Sequence, residues 1–328
     1  MKNILLVELW GLGDLVMMSV VLSSLRRAYP HAKITLLAKP HAEELFKYDD
    51  RIDEFIVFDP PWTVFKGKYR LWKWHFSGMY RIIKRIRKEH FDLCLDARGD
   101  VRNYIFLYFC GIKKKMYQHN RRIGVHRSEA WEELLSYLDI DAIESGPELK
   151  ITDADKLKAR QLLKDKFSGD EDYVLLHPGA RIATRCWPME RFVSVARHIF
   201  KTYGIKVIVL EDGTGYGDRF VDVAGVYVVK VELRSVMGLL SLARLLVCND
   251  GGIMHIADAL GCVVVSIFGP TDHVRFGPFN NKENIVIEDG YSCRPCFDNC
   301  KKGDPECISR ISLRSVLDKI DGLFEEMR

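Results

Sequence analysis

Nothing in the sequence reads as a membrane span or an export signal. The longest apolar stretch, Ile4 to Leu25, carries Glu8 and Asp14, is broken by Gly11 and Gly13, and is preceded by a single charge at Lys2. A buried strand, a loop and a helix account for it, since crossing a bilayer takes about 20 mostly apolar residues. Short internal repeats and low-complexity segments are missing too. A content of 48% hydrophobic and 29% charged residues excludes a disordered chain. Net charge is only +4. These absences lead us to expect a globular, cytoplasmic protein. Its nine cysteines then suggest free thiols or metal ligands rather than a disulfide framework.

What is present falls into two halves. A chain of 328 residues suits two domains of about 150 residues each. Asn3–Glu8 reads as a short apolar strand, Gly11-Leu12-Gly13 as a tight turn, and Asp14–Ala28 as a helix stopped by Tyr29-Pro30. Further strands are expected at Lys33–Ala38, Phe55–Phe58 and Phe91–Leu95, with helical stretches between them. The charged segment 150–170 has a helical pattern, and the boundary is expected there. A second series follows at Tyr173–His177, Lys206–Leu210, Leu245–Cys248 and Val263–Phe268, each strand ending in a loop rich in Gly, Pro, Asp or Asn. This pattern predicts an α/β protein with parallel sheets, binding its ligands at the carboxyl ends of the strands in one cleft between two facing domains. The expected division is 1–165, 166–310, and a last helix within 311–328 that crosses back onto the first domain.

Three segments carry chemistry. In Gly11-Leu12-Gly13-Asp14 the third small residue of a dinucleotide fingerprint is replaced by Val16. Asp14 would repel a pyrophosphate at the helix start, yet an ionised carboxylate is stabilised there and suits a general base. A plain helix cap is the alternative. In His177-Pro178-Gly179-Ala180…Thr184-Arg185-Cys186-Trp187-Pro188, Arg185 is either a bidentate clamp for phosphate oxygens or a solvated surface cation. In Asn249-Asp250-Gly251-Gly252-Ile253-Met254-His255, two glycines open a helix whose free N–H groups can approach a phosphate closely. His255 lies about one turn further on. Arginine, helix start and histidine together describe a diphosphate site.

Two weaker signals remain. Cys293, Cys296, Cys300 and Cys307 fall within fifteen residues, a density that suits structural zinc or an iron–sulfur cluster, or else reduced thiols or an adventitious disulfide. Residues 60–127 hold 17 Lys+Arg against 4 Asp+Glu, and Trp62–His90 interleaves aromatics with these cations. Such a surface suits an anionic membrane interface. A solvated helix face is the alternative, and no nucleic-acid motif accompanies the charge.

GLGD near the N-terminus, HPGA…RCWP, NDGGIMHIADALG and SIFGPTDHVRFGP together resemble glycosyltransferase family 9, the ADP-heptose:lipopolysaccharide heptosyltransferases, in order from Ile4 to about Ile308. The resemblance implies the GT-B fold, with acceptor on the first Rossmann-like domain and nucleotide donor on the second. It also implies inverting transfer that needs no metal or other cofactor, an ADP-sugar donor, and an anionic acceptor like the lipid A core, met at the inner face of the cytoplasmic membrane. It makes Asp14 the base. The donor residues are then Thr184, Arg185, Asp250, Gly251, Gly252 and His255; acceptor contacts are expected from Gly13, Arg98, Arg121 and Arg122, with Arg102 a further candidate. Arg185 stands where the family usually has Lys, and Gly251 where it has Ser or Thr. No residue of Glu211–Asp218 is assigned to the donor ribose. Two rivals share parts of this pattern: a non-hydrolysing sugar-nucleotide 2-epimerase and a non-catalytic sugar-nucleotide binder.

Overall fold

A computed structural model describes residues 1–63, 74–117, 124–141, 146–166, 172–288, 290–296, 298–300 and 303–327. The chain divides into two compact units, Met1–Lys150 and Ile151–Arg328.

The first unit alternates strands and helices: β1 (Asn3–Glu8), α1 (Leu12–Met18), α2 (Val20–Ala28), β2 (Lys33–Ala38), α3 (His41–Leu45), β3 (Glu54–Val57), α4 (Phe76–Glu89), β4 (Leu93–Asp96), α5 (Val101–Phe109), β5 (Lys114–Tyr117) and α6 (Glu129–Ser136). All pairings are parallel, in the order β3-β2-β1-β4-β5. Burial on both faces explains why β1 and β2 read as unbroken apolar runs. The expected helix 14–28 is two helices. At Ser19 the backbone N–H and the Oγ hydroxyl both donate to Val16 O, and Oγ accepts from Glu148 N, so a tertiary contact interrupts the ladder.

The second unit begins with α7 (Asp153–Lys166) and continues through β6 (Tyr173–His177), α8 (Met189–Tyr203), β7 (Lys206–Leu210), β8 (Val226–Val229), α9 (Leu233–Leu242), β9 (Leu245–Asn249), α10 (Gly252–Ala259), β10 (Val264–Phe268), α11 (His273–Phe276), β11 (Ile285–Ile287), α12 (Glu306–Ser309) and α13 (Leu313–Glu326). Its parallel sheet has the order β11-β10-β9-β6-β7-β8.

Two expected boundaries are corrected. The division after residue 165 moves to Lys150, because α7 packs against α9. Asp155 and Arg234 form a buried ion pair across that contact. A Cβ on Gly238 would come within 2.6 Å of Asp155 O, so only glycine lets the two helices approach this closely. The last helix, expected to cross back onto the first domain, belongs to the second unit. Val316, Ile320 and Phe324 of α13 enter the second unit's core beside α8. Tyr203 Oη donates to Asp321 Oδ1 at 2.7 Å, and the Tyr203 and Phe324 rings lie 4.4 Å apart. Trp187 Nε1 and Arg191 Nη1 both donate to Ile311 O, tying down the approach to α13.

Candidate active site

In each sheet the chain first runs outward to one side and then returns to build the other, which leaves a crevice at the carboxyl ends of the central strands. In the first unit these strands are β1 and β4, and they end in Glu8 and Asp96. Both carboxyls are fully buried. Burial, reinforced by the Asp14 charge, raises Glu8 to about 8 despite Arg127 and Arg98 nearby. Burial raises Asp96 to about 6 against hydrogen bonds from Arg98 N and Asn103. Glu8 is therefore largely neutral at pH 7, although a negative charge is the ordinary state of a glutamate.

Asp14 lies in the first turn of α1, beside this buried pair. Its Oδ2 accepts from Gly11 N at 3.2 Å, and its Oδ1 accepts from Arg98 Nη1 at 2.9 Å. The Arg98 guanidinium lies 4.0 Å from the centre of the Trp10 ring, and its backbone N–H donates to Asp96 Oδ1 at 2.8 Å. Below it Arg127 is buried: Nη1 donates to Ala97 O at 2.6 Å, while Nη2 stands 3.9 Å from Glu8 Oε2. Three carboxyls and two arginines thus gather at the crevice, with a proton held on Glu8. Arg102 is committed elsewhere, to both oxygens of Asp100 and to Trp62 O. Arg121 and Arg122 lie outside the described residues, as does much of the basic-aromatic segment.

The second unit has its crevice between β6 and β9. Asn249 at the end of β9 closes it, donating from Nδ2 to Pro178 O at 2.6 Å and accepting at Oδ1 from Trp187 N at 3.1 Å. Those bonds fix the His177–Gly179 and Arg185–Trp187 loops beside the start of α10. Burial lowers His177 to about 4, so it is neutral at pH 7. Arg185 meets Asp250 Oδ2 through Nη1 at 3.0 Å. It also grips Asp298 with Nε at 2.8 Å and Nη2 at 2.5 Å. Thr184 Oγ1 donates to Asp298 as well, at 3.3 Å, and Thr271 Oγ1 donates to Asp250 at 2.6 Å. Gly251, in an extended conformation, precedes the first turn of α10, Gly252 opens that helix, and His255 is buried within it. The structure therefore brings Thr184, Arg185, Asp250, Gly251, Gly252 and His255 to one segment of the fold.

Comparison with known proteins gives this arrangement a lineage. Residues 79–305 match the family model described as glycosyltransferase family 9 (heptosyltransferase). The chain belongs to that family. It is 22% identical to lipopolysaccharide heptosyltransferase 3 of Escherichia coli over 95% of this chain and 96% of the relative. Among solved structures, a family 9 glycosyl transferase from Veillonella parvula matches with a TM-score of 0.80 and 21% identity, covering 99% of this chain and 97% of that one. The ADP-heptose lipopolysaccharide heptosyltransferase II of E. coli matches with a TM-score of 0.78 and 16% identity over the whole of both chains. The shared fold is GT-B.

Within this family member, residues beyond the expected set stand at the site. Glu8 had a visible signal, an acid inside an apolar strand; Asp96 and Asp298 had none, because their partners are distant in sequence. Gly251 has room for the side chain it lacks, since a Cβ there would meet only Asn249 O at 4.0 Å. Glu211 is spent on its own loop, accepting from the N–H groups of Gly213, Gly215 and Gly217. Asp212 stands instead against the His177–Gly179 loop, where a Cβ on Gly179 would approach its Oδ2 to 2.3 Å.

The expected zinc or iron–sulfur site is not supported. Cys293, Cys296, Cys300 and Cys307 line a common cavity of about 300 Å³ with Tyr291 and Asn299, and all nine cysteines are free thiols. Among the described residues, however, no group of three or more Cys, His, Asp or Glu is placed to hold a metal ion. Cys307 is buried on α12, the Cys296 backbone N–H donates to Pro270 O, and the Cys300 thiol donates to Asp304 O.

Proposed function

We propose that this glycosyltransferase moves a heptose, or a closely related sugar, from an ADP-sugar to an anionic acceptor of the lipid A core type, with inversion and without a metal ion. The observation that carries the proposal is the opposite sign of the group each crevice presents: the Asp14 carboxylate at one, the Arg185 guanidinium and a glycine-opened helix at the other. The names of the relatives supply the sugar and the acceptor class.

In this reading Asp14 takes the proton of the acceptor hydroxyl as its oxygen attacks the anomeric carbon. The bond from that carbon to the diphosphate breaks, and its electron pair leaves on ADP. Arg185 and the N–H groups at the start of α10 offset the charge gathering on the diphosphate. Thr184, Asp250 and His255 position these groups. Asp212 rather than Glu211 is the carboxylate with an oxygen to offer the donor ribose. Gly13 and Arg98 adjoin the acceptor, with Arg121 and Arg122 as further contacts.

The acceptor is a glycolipid, and the first unit has a surface that fits peripheral contact with an anionic bilayer at the inner face of the cytoplasmic membrane. Phe76 and Tyr80 on α4, and Ile105, Tyr108 and Phe109 on α5, are all exposed. Arg87 Nε donates to Phe109 O and joins the two helices. Exposed Arg81, Lys84 and Lys88 supply the cations among these rings. No helix among the described residues is long and apolar enough to cross a membrane.

Thermal shift against ADP-, GDP-, UDP- and dTDP-sugars tests the donor, because a ligand bound only by the native state raises its melting temperature. The ADP-sugar is expected to give the largest shift. A larger shift with another nucleotide would reject the donor assignment.

A further inference from the structure

Arg98 faces a demand that an ordinary acceptor contact does not. Its Nη1 holds Asp14 Oδ1, while Gly11 N holds Oδ2, so both oxygens of the proposed base are engaged by the chain itself. A proton arriving on Asp14 while Arg98 is in place discards that ion pair. Transfer therefore runs best when Arg98 has another partner.

The surroundings limit what that partner can be. The Arg98 side chain is 25% exposed, against 2% for Arg127. Arg127 is buried with Nη1 on Ala97 O, whereas Arg98 reaches solvent. Glu8, raised to about 8, is largely neutral at pH 7 and offers little charge. Asp96 spends Oδ1 on the Arg98 backbone N–H and Oδ2 on Asn103. The Trp10 ring under the guanidinium supports a planar cation without hydrogen-bonding its edge, so Arg98 can turn over that face.

We infer that Arg98 is a specificity-determining positioning residue: it restrains Asp14 in the free enzyme and is drawn off by an anionic group of the acceptor, so that a charged acceptor, and not water, releases the base. This inference rests on Asp14 being the base. Exchanging one anionic partner for another costs the guanidinium little. Water brings no charge and leaves the pair intact. In transfer, the acceptor oxygen bonds to the anomeric carbon, ADP leaves with the electron pair, and the proton goes to Asp14. In the competing hydrolysis, water supplies oxygen and proton, and free sugar and ADP result.

The test uses the full chain with ADP-heptose and a lipid A core acceptor in three forms: native, with its carboxylates methyl-esterified, and with its phosphates removed. In the parent protein, neutralising the group that recruits Arg98 should lower kcat at saturating acceptor by roughly tenfold, beyond any rise in KM. The form that loses kcat identifies the group as carboxylate or phosphate. Arg98→Gln should abolish that kcat difference and raise ADP release without transfer roughly tenfold relative to transfer. Arg98→Lys should keep most of the discrimination. Unchanged kcat with both neutralised acceptors would overturn the inference. So would an Arg98→Gln protein that differs only in acceptor KM, with the parent's fraction of hydrolysis. Asp14→Asn separates the two layers: parent-like transfer in that variant means that the base assignment itself has failed.

Discussion

The two crevices are built on the same plan and present groups of opposite sign. In the first unit a carboxylate, Asp14, is the presented group and an arginine, Arg98, restrains it. In the second an arginine, Arg185, is presented and two carboxylates, Asp250 and Asp298, restrain it. The topology only creates the opening; the side chains at its rim decide what enters. The buried layers differ as well. Beneath Asp14 lie Glu8 and Asp96, both raised by burial, Glu8 far enough to keep its proton at pH 7. Beneath Arg185 lies the uncharged Asn249, bonded at both ends of its amide. One crevice is suited to accepting a proton, the other to holding a fixed anion.

The comparison can be broken on the donor side. Arg185→Met should reduce kcat/KM for the ADP-sugar on the order of a hundredfold, as loss of a charge-stabilising donor does. Steady-state kinetics that remain within twofold of the parent, by rough allowance for noise, would take Arg185 out of the donor site. Arg185→Lys should recover part of the loss, since a point charge replaces a fork.

The buried layer predicts a smaller effect that depends on pH. Glu8 rises from its ordinary 4.5 to about 8 in the folded protein. The stability it contributes is thus complete below its ordinary value and is lost as pH climbs through about 8. Glu8→Gln cannot ionise, so it should gain on the parent across that window, by up to about 1.4 kcal/mol per pH unit. Urea unfolding at pH 5 and at pH 8 measures this, and an equal difference at both values would contradict it. The smallest effect concerns Asp298. Asp298→Asn removes one carboxylate from the Arg185 fork and should tighten ADP binding by up to about fivefold, the scale of a partly exposed ion pair. Calorimetry showing weaker binding would mean that Asp298 organises the site rather than competing for it.

Much of this architecture is legible in the residues alone, for a physical reason. Strands buried on both faces are short apolar runs ended by Gly, Pro, Asn or Asp, and β1, β2, β6 and β7 follow that pattern. The edge strand β5, Lys-Lys-Met-Tyr, escapes it because its two lysines, one exposed and one half-buried, hide the periodicity. The helix 153–166 is visible as a helix, but its allegiance to α9 is settled by Gly238 and Asp155, which no local pattern reveals. The site divides likewise. Asp14, Arg185 and the Gly251-Gly252 turn stand out from loop chemistry. The pairing of Asp14 with Arg98 depends on β1 lying beside β4, and that of Arg185 with Asp298 depends on a loop more than a hundred residues away.

The central claim is that Asp14 takes the acceptor's proton while the second unit holds the nucleotide. Single-turnover transfer by Asp14→Asn, measured together with ADP affinity, tests it most directly. The account predicts a fall in transfer on the order of a thousandfold with ADP affinity unchanged. Transfer at the parent rate, or a loss explained by weaker ADP binding, would contradict it.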